Sequence, residues 1–178
     1  MPNVTFKGNA VRLDGTSVNV GDRAPEVELV GGDLNTFKLG GTLGKYQIIN
    51  VVPSLDTGVC ATQARKFNEK AAALDNAAVF VVSFDLPFAQ GRFCSTEGIQ
   101  NLKTLSDFRG GKFSKAYGVL MGDGLLAGLS ARAIFVIDPN GKIVHKEIVS
   151  EITNEPNYEA AIAAVKQGSS GSPLSVYS

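Results

Sequence analysis

The sequence predicts an α/β domain: a mixed central sheet covered by helices on both faces, preceded by an N-terminal β-hairpin. Three observations predict it. From Tyr46 onward, apolar runs of strand length alternate with segments whose apolar residues recur at intervals of three and four. Ala133–Ile137 and Lys142–Ile148 are joined by Asp138-Pro139-Asn140-Gly141, a turn by its chemistry, so these two runs pair antiparallel. Before residue 40 the chain holds only short β-like runs broken by glycines. The 178 residues suffice for one domain with a substantial core, assigned to residues 1–167. Residues 168–178, opening Gly-Ser-Ser-Gly-Ser-Pro, are expected to form a flexible tail.

In order, Val4-Thr5-Phe6 is a short strand candidate. Ala10–Leu13 and Ser17–Val20 flank Asp14-Gly15 and are expected to pair as the hairpin. Glu26–Val30 alternates like a half-buried strand, and Thr36–Leu39 is another before Gly40-Gly41. Tyr46–Val52 is an apolar, β-branched strand. Cys60, Ala64, Phe67, Ala71 and Leu74 then share one helical face, with Arg65, Lys66, Glu69 and Lys70 off it. The unbroken apolar run Ala77–Phe84 marks a central buried strand. Asp85-Leu86-Pro87 opens a short helix to about Cys94, and Lys103–Ser106 is a strand. Phe113–Tyr117 is a short helix stopped by Gly118, and Met121–Gly128 is a glycine-rich loop. Pro156-Asn157 opens a last helix with Tyr158, Ile162 and Val165 on one face.

Composition narrows the function. Lys+Arg 17 balances Asp+Glu 17, and no basic run marks a nucleic acid or an anionic membrane as partner. No apolar segment approaches the ~20 residues of a membrane span. Met1–Gly8 lacks the apolar core of a secretory signal, so a cytoplasmic location is expected. One histidine and two cysteines fall short of a four-ligand zinc site. The glycines from Gly122 to Gly128 lack dinucleotide-binding spacing. No metal and no cofactor are expected.

The chemistry centres on Cys60. A strand feeds the turn Pro53–Gly58, and the turn delivers Cys60 into the start of a helix. Orphan backbone N–H groups and the positive end of the helix dipole favour a thiolate at such a place. Two readings stay open, a reactive thiol and an inert buried one. A hydrolase needs a histidine base, and the single histidine, His145, lies in a predicted strand where packing is its commoner role. Cys-x-x-Cys is absent, because Ala61-Thr62-Gln63 follow Cys60. Cys94 closes a separate predicted helix, and two distant cysteines fit a cycle in which one is oxidised and the other condenses with it.

Pro53-Ser54-Leu55-Asp56-Thr57-Gly58-Val59-Cys60 resembles the Pro-x-x-x-Thr-x-x-Cys signature of the peroxiredoxins, in the wording of the bacterial atypical 2-Cys thiol peroxidase subfamily. The likeness continues at Arg65–Asn68, Asp85–Cys94 and Gly128–Ala133 and covers residues 4 to 166. It implies a thioredoxin-like fold and a cofactor-free peroxidase for hydrogen peroxide and alkyl hydroperoxides. By this resemblance Cys60 is the peroxidatic thiolate, and Thr57 hydrogen-bonds both it and the peroxide. Pro53 shields the pocket, and Arg132 supplies a fixed cation. Cys94 resolves the sulfenic acid as an intrachain disulfide, which thioredoxin reduces. A homodimer is also implied. Phe88 and Phe93 are expected to line an apolar entrance, and disulfide formation is expected to unwind the first turn at Cys60 and move Pro87–Cys94. The alternative is a non-enzymatic redox sensor using the same disulfide.

A magnitude shows what such a site must supply. Lowering a thiol pKa from ~8.5 to ~6 raises the thiolate fraction at pH 7 about 30-fold. The same change lowers intrinsic nucleophilicity about 10-fold. The net gain of ~3-fold leaves most of the rate to preorganised donors that stabilise charge on both peroxide oxygens.

Overall fold

The central sheet of the computed structural model, which describes residues 4–71 and 74–166, is mixed and seven-stranded. Its parallel middle is β6 (Tyr46–Val51), β7 (Ala77–Ser83) and β8 (Lys103–Ser106). On one flank β10 (Ala133–Ile137) runs antiparallel to β6, and β11 (Ile143–Ile148) runs antiparallel to β10. On the other, β4 (Val27–Val30) pairs with β8 and then with β5 (Thr36–Leu39), both antiparallel. Each of these strands was expected from the sequence, with ends that agree to within one residue.

Every residue of β6 is buried because both faces are covered, which is why the run shows no alternation. Ile49 and Val51 join Phe80, Val82, Leu105 and Phe135 on one face, beneath Phe113 of α3 (Lys112–Ala116). Ile48 joins Val79, Ile134 and Val136 on the other. There α1 (Gly58–Ala71) contributes Phe67, and a helix over residues 158–166 (α4) contributes Tyr158, Ile162 and Val165. Truncating a buried Phe67 to alanine would cost about 3–5 kcal/mol. α2 (Pro87–Glu97) packs Phe93 and Cys94 against a third cluster formed by Val52, Leu55, Cys60, Ala64, Val81 and Ile99. It runs one turn beyond Cys94 and ends at Gly98, whose left-handed φ of 67° lets its N–H reach the Cys94 carbonyl.

The N-terminal hairpin forms earlier than expected. β1 (Val4–Phe6) pairs with β2 (Asn9–Val11) across Lys7-Gly8. Those two residues have φ of 51° and 82°, the pair of positive values a type I′ turn requires. Asp14-Gly15 makes no hairpin, and Ser17–Val20 forms no strand. Instead β3 (Leu13–Asp14) pairs with β9 (Leu120–Met121), so the expected loop begins one residue after Met121. The cause is tertiary: Thr16 N–H donates to the Lys115 carbonyl (2.8 Å), and a Cβ on Gly15 would collide with that oxygen. Gly15 serves a close approach to α3 rather than a tight reversal. The expected tail, 168–178, lies outside the described residues. Among the described residues no helix is long and apolar enough to cross a membrane.

Candidate active site

Antiparallel pairing brings a cation to the thiol. Ala133 of β10 lies opposite Val51 of β6, so Arg132, just before β10, stands beside the end of β6. There Val52 N–H makes the last ladder bond, to Val82 O, and Pro53 has no N–H to continue it. The chain turns, and Thr57 caps α1. Its Oγ1 accepts from Cys60 N–H (3.4 Å), its carbonyl accepts from Ala61 N–H (3.0 Å), and its hydroxyl donates to Ser54 O (3.1 Å). Cys60, the third residue of the helix, is fully buried.

Arg132 is only 2% exposed. Its Nε donates to Ile152 O (2.7 Å), and its Nη1 donates to Cys60 Sγ (3.1 Å) and Gln63 Oε1 (3.0 Å). A buried guanidinium needs acceptors, and a thiolate is the acceptor that also balances its charge. Gln63 is fully buried, and its Nε2 has no hydrogen-bond partner among the described residues. Sequence reasoning noted Gln63 only for not being a cysteine. Its signal was a polar side chain one turn after Cys60, on the otherwise apolar face of Ala64 and Phe67.

Tyr158 and Glu155 flank this centre. The Tyr158 hydroxyl donates to Glu155 Oε1 (2.8 Å), and Lys66 Nζ lies 3.3 Å from the same oxygen. The Tyr158 hydrogen bond, then Lys66 and Arg132, hold the Glu155 carboxyl below its ordinary range. Burial, reinforced by Glu155, pushes the Tyr158 hydroxyl up.

A cavity of about 170 Å³ opens onto Arg132. Pro53, Thr57 and Val59 line it from the turn and the start of α1, and Phe6, Leu126, Leu129 and Ile152 are among its other lining residues. Ser130 Oγ donates to Val52 O (2.9 Å) and pins the loop that carries the leucines. The expected entrance residues are elsewhere. Phe88 points outward from α2, 71% exposed, and Phe93 packs in the apolar cluster with Cys94. The aromatic contribution comes instead from Phe6 of the hairpin. A wider groove of about 440 Å³ beside Phe37 and Lys103 contains none of these groups.

Pro53, Thr57 and Arg132 thus line one cavity, and Cys60, fully buried and outside its lining, is held behind it by Arg132 Nη1. Cys94 lies outside it, half-buried on α2, and both cysteines are free thiols. Burial pushes the Cys94 thiol up, opposed by a hydrogen bond with Thr104. His145 sits on β11 opposite Val136, four residues (about 13 Å) along β10 from Arg132. Among the described residues no cluster of three His, Cys, Asp or Glu is placed to hold a metal.

Residues 19–162 match the Redoxin family model. The chain is 54% identical to a thiol peroxidase of Leptospira interrogans over 92% of this chain and 97% of that one. It is 57% identical to a thiol peroxidase of Campylobacter jejuni, over 86% of this chain and 87% of that one. A crystal structure of a peroxiredoxin-like protein from Aquifex aeolicus superposes with a TM-score of 0.90 at 48% identity, covering 94% of this chain and 97% of that one.

Proposed function

The chain belongs to the redoxin family and is a thiol peroxidase of the peroxiredoxin type, and on that premise we propose that it reduces hydrogen peroxide and alkyl hydroperoxides through Cys60 and Cys94. The observation that carries this reading is the buried Arg132 Nη1, 3.1 Å from Cys60 Sγ, at the back of a largely apolar cavity. The Cys60 thiolate attacks one peroxide oxygen and the O–O bond breaks. Water or an alcohol leaves with a proton, and Cys60 becomes a sulfenic acid. Arg132 and the N–H groups of residues 58–60 stabilise the spreading negative charge. The Thr57 hydroxyl joins them by turning from Ser54 O. Pro53 keeps water from the thiolate. Phe6, Leu126 and Leu129 favour an alkyl substituent over bulk water.

Cys94 thiol then condenses with the sulfenic acid, giving a disulfide and water, and thioredoxin returns both thiols. The active form is a cytoplasmic homodimer. The test is peroxide consumption with a thioredoxin system. Cys60→Ser should consume none. Cys94→Ser should turn over poorly and accumulate Cys60 sulfinic acid. Wild-type rates in either variant would refute the assigned roles, and consumption of about one equivalent per chain would favour a sensor.

A further inference from the structure

The stretch from Asp85 to Cys94 enters the mechanism only through its last residue, yet its first is bonded to the other cysteine's segment. Asp85 Oδ1 accepts from Ser54 Oγ (2.8 Å). Its Oδ2 accepts from Leu55 N–H (2.7 Å) and from Ser83 Oγ (2.8 Å). Ser83 Oγ in turn accepts from Gln90 Nε2 (3.0 Å), a fully buried side chain of α2 that also donates to Leu105 O (2.9 Å). The Asp85 carbonyl is held by Ser106 Oγ (2.6 Å). One continuous chain of hydrogen bonds thus runs from the turn before Cys60 to the helix bearing Cys94.

We propose that Asp85 is a positioning residue that latches the Cys60 turn to the Cys94 helix and sets the dithiol–disulfide balance of the catalytic cycle. The inference rests on Cys94 being the resolving thiol. Bonds to a charged acceptor are roughly twice as strong as neutral ones, so the carboxylate is the strongest link. A disulfide needs the two Cα atoms within about 7 Å. Both cysteines are free thiols, Cys60 fully buried in the first turn of α1 and Cys94 inside α2, and the proposal holds that closure displaces at least one of these segments and breaks the latch. Whatever stabilises the dithiol fold alone shifts the equilibrium towards dithiol, whatever the path. The latch also sets a competition. Closure converts Cys60 sulfenic acid and Cys94 thiol to disulfide and water. A second hydroperoxide instead converts the sulfenic acid to sulfinic acid and releases an alcohol or water.

The test equilibrates full-length wild type, Asp85→Ala and the milder Ser54→Ala across a dithiothreitol redox series, with thiols counted by alkylation and mass. Asp85→Ala should shift the constant at least tenfold towards disulfide, about 30 mV. Ser54→Ala should shift it less, in the same direction. Melting separates a latch from a general structural role: the latch predicts a loss in the dithiol form only. Constants within threefold of wild type, or equal melting losses in both redox forms, overturn the proposal. So does an unfolded Asp85→Ala together with an unmoved Ser54→Ala. A wild-type chain that never forms the Cys60–Cys94 disulfide overturns the resolving role as well. A normal wild-type disulfide with unmoved variants overturns the latch alone.

Discussion

Arg132→Lys is the sharpest test of where the rate comes from. The side chain is 2% exposed and holds three acceptors at once: Ile152 O at 2.7 Å, Cys60 Sγ at 3.1 Å and Gln63 Oε1 at 3.0 Å. Lysine keeps the charge but offers one nitrogen in place of a planar fork. It cannot span the Ile152 carbonyl and the sulfur, so at least one charge-assisted bond is lost, about 1.5–3 kcal/mol. If the donor lost faces the peroxide oxygens, the precedent for one preorganised donor is about 2.7–4 kcal/mol. The ranges meet near 3 kcal/mol, so kcat/KM should fall on the order of 100-fold. The assay is competition between the reduced variant and a reference peroxidase for limiting peroxide. A melting curve on the same sample reports whether the fold persists. A folded variant within about threefold of wild type would refute the donor argument and return the burden to thiolate loading alone.

Gln63→Leu removes one acceptor of Arg132 together with the orphaned Nε2 donor. Peroxide kcat/KM should fall about tenfold while stability changes by less than ~1 kcal/mol, because an unsatisfied group leaves too; the competition assay and a urea titration check both. Glu151 accepts from Thr153 N–H, Gly8 N–H, and the Thr153 and Thr5 hydroxyls, and its carboxyl is held at about 2 against an ordinary 4.5. A lowered carboxylate contributes stability that is present above pH 4.5 and lost as pH falls towards 2. Glu151→Gln should therefore flatten the urea midpoint between pH 4.5 and 2, and an unchanged slope there would count against it. Gly58 has negative φ and open space at its Cβ position, so Gly58→Ala should stabilise the first turn of α1 by about 0.5–1 kcal/mol. That should slow disulfide closure a few-fold and raise sulfinic acid per turnover, measured by mass after peroxide pulses.

What the sequence disclosed was local. β6, α1, β7, β10 and β11 follow from runs and intervals contained in each element, and Thr57 and Cys60 are read together because they share one turn. The hairpin was misplaced because Asp14-Gly15 carries the stronger turn signal. Lys7 is an uncommon residue for a positive φ, so Lys7-Gly8 carries almost none. The use of Gly15 depends on Lys115, which no local pattern reveals. Arg132 came through resemblance alone, since its place beside Cys60 arises from β10 pairing with β6 across eighty residues of chain. Phe6 and Gln63 are of the same kind: a cavity wall from the hairpin and a buried amide within an apolar stripe. Phe88 and Phe93 misled because their motif also holds Cys94, while the rotation of α2 turns Phe88 to solvent.

In the proposed cycle, preorganisation and disulfide closure place opposite demands on the turn from Pro53 to Cys60, and the bonds that would serve each come from different anchors. Arg132 is fixed by the Ile152 carbonyl and by Gln63, and neither bond involves the turn. The groups that would let go are held from the other side, through the bonds of Ser54 and Leu55 to Asp85. Withdrawal of Cys60 therefore costs the guanidinium one of three acceptors and leaves it in place. On that proposal reduction would return the thiol to a cation that has not moved, so refolding of one helical turn would be enough to restore the site. A cation mounted on the turn itself would have to be repositioned in every turn of the proposed cycle, whereas Arg132 is carried by the residue just before β10.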